Sequence, residues 1–192
     1  MRHPAHPFQV ALATLKEGAN PIRMEGSGEE AGITPSDVEL EGPVVVEGVF
    51  FRAEAHVEVQ AQVRAVAVLA CDRCVAAVRQ PIEANLRLLA EKRAERDHRT
   101  DAESRAEDSG LLYHDGRTLD LQEDVRDAVL LELPWHPLCS PDCKGLCPRC
   151  GKNKNEGDCG CPPRRGTDPW DLLGKMIEGG DATSTDPPRG KE

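Results

Sequence analysis

From Val44 to Leu89 the chain alternates hydrophobic and polar side chains with the period of a β-strand. VVVEGVFFRAE, residues 44–54, reads as one strand. HVEVQAQVRAVAVLAC follows, with Val57, Val59, Ala61, Val63, Ala65, Ala67 and Leu69 on one face and Glu58, Gln60, Gln62 and Arg64 on the other. His56 falls in the polar register and is expected to be exposed. A second alternating run, IEANLRLLA, carries Ile82, Ala84, Leu86 and Leu88 inward. The two runs are joined by CDRCVAAVRQP, so the simplest arrangement is a long antiparallel pair with CDRC near its turn.

The period then changes. Leu121, Val125, Ala128 and Val129 share one face of a helix that Pro134 stops. Asp120 is placed to cap it, with Glu123 three residues on. First-turn acids such as Glu123 and Asp124 are explained by the helix dipole. Residues Tyr113–Leu119, around His114-Asp115-Gly116, suggest a hairpin-like entry to the helix. Earlier, FQVALATL offers an edge strand, but Gly, Pro and Glu dominate the residues after it. These elements predict an α+β fold: a small, mostly antiparallel sheet, one covering helix and a cysteine-rich zinc-knuckle tail. The expected organisation is a lead-in over 1–36, an α+β domain over 37–133, the tail over 134–175 and a disordered end over 176–192. Residues 91–110 hold seven acids and five bases and nothing larger than Ala to bury, so they read as a mobile insertion.

Composition narrows this picture. With only two Trp, one Tyr and three Phe in 192 residues, the core has to be aliphatic. No apolar run approaches the roughly 18–20 residues that span a bilayer, and the start lacks the continuous apolar stretch of a signal peptide. A cytoplasmic protein of bacterial type is expected. The formal net charge of −10 opposes nonspecific nucleic-acid binding by the whole surface. The sign reverses locally between 144 and 165, where Lys144, Arg149, Lys152, Lys154, Arg164 and Arg165 face only Glu156 and Asp158. These six are the candidate RNA-binding residues.

The candidate chemistry lies in LCSPDCKGLCPRCGKNKNEGDCGC, residues 138–161, which holds six of the eight cysteines. Disulfides suit secreted domains and fit poorly in a reducing cytosol. A redox C-x-x-C wants a helix N-terminus to depress its thiol pKa, whereas Cys71-Asp-Arg-Cys74 lies between strands. Zinc fits better, since it takes four thiolates in a tetrahedron and C-x-x-C turns present them in pairs. Cys147, Cys150, Cys159 and Cys161 form the first-choice site, with Gly151 free to adopt the positive φ such a knuckle favours. Cys143 could replace one member of the tight C-x-C pair. Eight sulfurs divide into two fours, so one zinc is expected and arithmetic allows a second on Cys71, Cys74, Cys139 and Cys143. A catalytic zinc would want an open position and often a His or carboxylate ligand. Nearby His136 reads as structural or exposed. Trp135 and Trp170 read as core plugs of the metal module, or as stacking platforms for bases. Nucleotide-loop, nucleophile-elbow and HExxH signatures are lacking.

A C-x-R-C hairpin (CDRC), a charged insertion, LELPWHPLC at 131–139, DCKGLCPRCGKNKNEGDCGC at 142–161 and Asp168-Pro169-Trp170 before DLL together resemble the YceD-like family of large ribosomal RNA accumulation proteins. The resemblance covers roughly residues 8–175 and is most specific in the tail. It departs at Lys154, where the family commonly has an apolar residue. The resemblance implies a non-enzymatic factor in synthesis, processing or stability of large-subunit (23S) ribosomal RNA, acting in ribosome biogenesis. Its implied partners are rRNA or a basic ribosomal or assembly protein, with no membrane and no small-molecule substrate. The competing classes are a metal-dependent nuclease and a zinc- or redox-responsive regulator using Cys71 and Cys74.

Overall fold

A computed structural model describes residues 6–54, 56–92 and 110–162. Eight strands and one α-helix occur among them: β1 Gln9–Ala11, β2 Gly18–Gly26, β3 Glu39–Leu40, β4 Val44–Arg52, β5 His56–Ala70, β6 Ala77–Lys92, β7 Leu111–His114, β8 Thr118–Asp120 and α1 Gln122–Leu131. The large sheet runs β2-β4-β5-β6-β7, with β3 also paired to β5, while β1 and β8 form a separate two-stranded ribbon.

The axis of the sheet is the β5–β6 pair. It is antiparallel and in register from His56 opposite Glu91 to Ala70 opposite Ala77, and CDRC occupies its turn. Alternation sorts the side chains as the sequence predicts. Val57, Val59, Val63, Ala65, Ala67, Ile82, Ala84 and Leu86 are buried, and His56 is exposed. The inner face meets Leu121, Val125 and Val129 of the α1 region, all fully buried in one aliphatic core with Phe8 and Phe50. Full burial of such a side chain contributes about 1.5–3 kcal/mol, so this stripe is enough to hold a ten-residue helix that would be marginal alone. The Asp120 carboxylate accepts from Gln122 N at 3.0 Å, while Leu121 occupies the residue position before the helix.

Three expectations change. Residues 18–26, within the anticipated lead-in, form a nine-residue edge strand paired to β4 from Gly18–Arg52 to Gly26–Val44. Its pattern hid it because only Met24 and Gly26 are buried. Residues 113–119 are not a hairpin. β7 pairs parallel with β6, and β8 pairs with β1, so the Asp115 turn passes the chain from one sheet to the other. The turn is held by Asp115 Oδ1, which accepts from Arg117 N and Thr118 N. Finally, Trp135 is 94% exposed and plugs no core. The charged insertion beyond residue 92, the tail beyond residue 162 with Trp170, and the end over 176–192 lie outside the described residues. None of the described helices is long and apolar enough to cross a membrane.

Candidate metal centres

Two C-x-x-C turns share one backbone design. At the β5–β6 turn, Cys71 N donates to Ala76 O and Val75 N donates to Cys71 O, both at 2.9 Å. At CPRCG, Cys147 N donates to Lys152 O at 2.8 Å and Gly151 N to Cys147 O at 2.9 Å. The residue after each second cysteine takes a positive φ, +72° at Gly151 and +61° at Val75. Glycine accepts that conformation freely, whereas a β-branched valine is strained there. The equivalence was invisible in sequence, since Val75 breaks the glycine pattern.

Each turn draws in a second pair of sulfurs. Cys71 and Cys74 meet Cys139 and Cys143, and Cys147 and Cys150 meet Cys159 and Cys161. Within each set the sulfurs all lie within 4.8 Å of one another. Four thiolates at about 2.3 Å from a tetrahedral ion would stand about 3.8 Å apart. Cys71 and Cys143 are 3.8 Å apart, and Cys74 and Cys139 3.5 Å. Both sets can therefore hold a metal ion, and all eight thiols are free of disulfides. The sets differ in setting. Cys71, Cys74 and Cys143 are buried beside Ala76, Val78 and Leu138, whereas Cys150 is exposed and Cys159 and Cys161 half-buried.

The electrostatics fit cation binding. The Cys71 thiol is lowered to about 6 chiefly by the Cys139 backbone N–H, opposed by burial and aided by the Arg73 and Cys74 N–H groups. The Cys147 thiol is lowered to about 6 by the N–H groups of Cys150 and Arg149. Hydrogen bonds to a thiolate favour the charged form. The Asn155 amide similarly lowers Cys143. Its Nδ2 donates to Cys143 Sγ at 3.2 Å. In contrast, Cys139 is pushed up to about 12, chiefly by Cys74, and Cys161 to about 12, chiefly by Cys150. Neighbouring thiols share protons because several negative sulfurs at this spacing repel; a divalent cation reverses that cost.

Among the described residues, no carboxylate or imidazole enters either set. His136 is exposed, and its Nδ1 lies 2.8 Å from Asp72 Oδ2. Of the basic candidates, Lys144, Arg149 and Lys152 are exposed and Lys154 half-buried, while Arg164 and Arg165 lie outside the described residues. Cys147, Arg149, Lys154, Asp158 and Cys161 line a cavity of about 460 Å³. Two positioning groups stand inside the quoted motifs, but their contacts are not legible in the linear pattern. Asn155 is one, and Arg73, whose Nη1 donates to Cys143 O at 2.9 Å, is the other.

A family model described as large ribosomal RNA subunit accumulation protein YceD matches residues 59–176, more than half of the chain and both cysteine sets. The chain belongs to the YceD family. An uncharacterized protein of Mycobacterium tuberculosis is 34% identical over 157 residues, covering 78% of this chain and 72% of its own. A chloroplastic YceD homologue of Zea mays, named as a large ribosomal RNA subunit accumulation protein, is 41% identical over 49 residues, 25% of this chain and 17% of its own. A Mycobacterium leprae protein is 53% identical over 34 residues, 18% of this chain and 16% of its own. No solved structure matches the chain significantly.

Proposed function

We propose that this YceD-family chain is a non-enzymatic factor in synthesis, processing or stability of large-subunit ribosomal RNA, with one structural Zn²⁺ in each cysteine set. The observation that carries the metal assignment is the pair of closed four-sulfur sets, each within 4.8 Å and built on the same turn. The ligands are Cys147, Cys150, Cys159 and Cys161 in one site and Cys71, Cys74, Cys139 and Cys143 in the other. Zinc, once bound, supplies a four-way crosslink. In the second site it ties the end of the β5–β6 hairpin to the tail, so the tail functions as part of the sheet domain.

Four thiolates leave no open coordination position, which supports a structural role over a nuclease. They also engage Cys71 and Cys74, which a redox regulator would need free. Thiol labelling of the zinc-loaded protein is expected to be slow, and the protein is expected to leave precursor rRNA uncut. A cytoplasmic location accords with the same reading.

Contact with rRNA is assigned to the basic rim. Lys144, Arg149 and Lys152 stand exposed around the knuckles, with exposed Arg73 bonded to the backbone of Cys143 beside them. The acidic remainder of a chain of net charge −10 limits binding to this rim and suits a basic ribosomal or assembly protein on other faces. Filter binding of large-subunit rRNA fragments over a salt series tests it. Affinity at low salt should fall with salt, and each of Lys144→Ala, Arg149→Ala and Lys152→Ala should flatten the log–log slope by about 0.7–0.9. Absence of affinity at low salt would rule out direct contact.

A further inference from the structure

We infer that the two cysteine sets bind metal cooperatively and that Asn155 is the residue that couples them. This rests on the proposal of one ion in each set. Asn155 lies in the loop between Cys150 and Cys159, the two halves of one set, yet its Nδ2 donates to Cys143 Sγ of the other set at 3.2 Å. Its Oδ1 accepts from Lys144 N at 2.8 Å, next to that same cysteine. Asn153 Oδ1 holds it in place, accepting from Asn155 N at 3.0 Å and from Nδ2 at 2.9 Å.

The backbone takes the same route. Lys154 N donates to Gly145 O at 2.9 Å, and Leu146 and Asn153 form an antiparallel bridge. Leu146 N donates to Arg73 O at 3.1 Å, inside the other C-x-x-C turn. An ion on Cys147, Cys150, Cys159 and Cys161 closes the 150–159 loop and so fixes the Asn155 amide against a thiolate of the second site. An ion on Cys71, Cys74, Cys139 and Cys143 fixes Cys143 and Lys144, and thereby the loop. Coupling through a shared ordered segment is reciprocal.

Co²⁺ titration of the full chain against a competing chelator measures this, read from the cobalt–thiolate absorption. The product of the two wild-type binding constants is compared with the product from Cys147→Ser/Cys150→Ser and Cys71→Ser/Cys74→Ser, each of which leaves one site. The wild-type product should be larger by about 10–100-fold, the usual effect of a group supporting a metal ligand. In the Asn155→Ala background the same ratio should fall clearly toward one, any remainder being carried by the backbone contacts. Asn155→Asp keeps an acceptor for Lys144 N but loses the donor to Cys143 Sγ, and should also lower the ratio. The β-sheet circular dichroism verifies folding, since the main core contains no cysteine. A wild-type ratio near one, or a raised ratio unchanged by Asn155→Ala, overturns the coupling while leaving two ions bound. A wild type that binds one ion or none overturns the two-ion reading itself.

Discussion

Single side chains explain how the turns hold their shape. Val75, 66% exposed at a φ of +61°, pays for the knuckle conformation with steric strain that Gly151 avoids at the same place in the other turn. Relief of a left-handed conformation amounts to about 1–2 kcal/mol, and glycine's extra freedom in the unfolded chain costs about 0.5–1 kcal/mol. Val75→Gly should therefore leave stability unchanged or raise it by up to about 1.5 kcal/mol, measured by thermal unfolding; a clear loss would show that the side chain packs on a partner. The thiols carry a pH prediction. Cys139 and Cys161, pushed up to about 12, hold their protons at neutral pH, while Cys71 and Cys147, lowered to about 6, are largely ionised. A metal ion needs thiolates, so binding displaces protons and affinity rises with pH across the neutral range. Proton release into weakly buffered solution on adding Zn²⁺ tests this, and uptake would contradict the sign. These residue-level features were only partly legible. The C-x-x-C spacing and Gly151 are explicit in sequence, but Asn155 meets Cys143 only because the loop folds back twelve positions.

Among the elements, the β5–β6 hairpin and α1 were readable because burial on one face imposes a strict period on each. β2 was not, since an edge strand with GANPIRMEG needs few apolar positions, and its Pro21 is tolerated at an edge. The parallel β7 was also hidden, because pairing across a long intervening segment leaves no local mark. Inside the sheet, Gly48 marks a tight approach of β4 to β5. A Cβ there would lie 2.2 Å from Gln60 O, a backbone atom that cannot swing aside. Gly48→Ala should cost about 1–3 kcal/mol in chemical denaturation, as overpacking does. A neutral outcome would mean that the two strands separate easily.

In the whole molecule, two supports differ in kind: an aliphatic core under the sheet and sulfur clusters at the hairpin tip and tail. Chelation should therefore loosen residues 134–162 and the β5–β6 turn while the sheet persists. Hydrogen exchange after chelator treatment tests this, and simultaneous melting of the sheet would show that the core depends on the metal. The chain carries a net charge of −10, yet Lys144, Arg149 and Lys152 stand exposed around the knuckles, a charge split that the composition predicts but whose geometry comes only from folding. The most direct measurement is the metal content of the purified chain beside Cys71→Ser/Cys74→Ser and Cys147→Ser/Cys150→Ser. Two zinc ions per chain, falling by one or more in each variant, is the predicted result. One zinc lost only in the Cys147/Cys150 variant, or none in any, would contradict a metal bond between hairpin and tail.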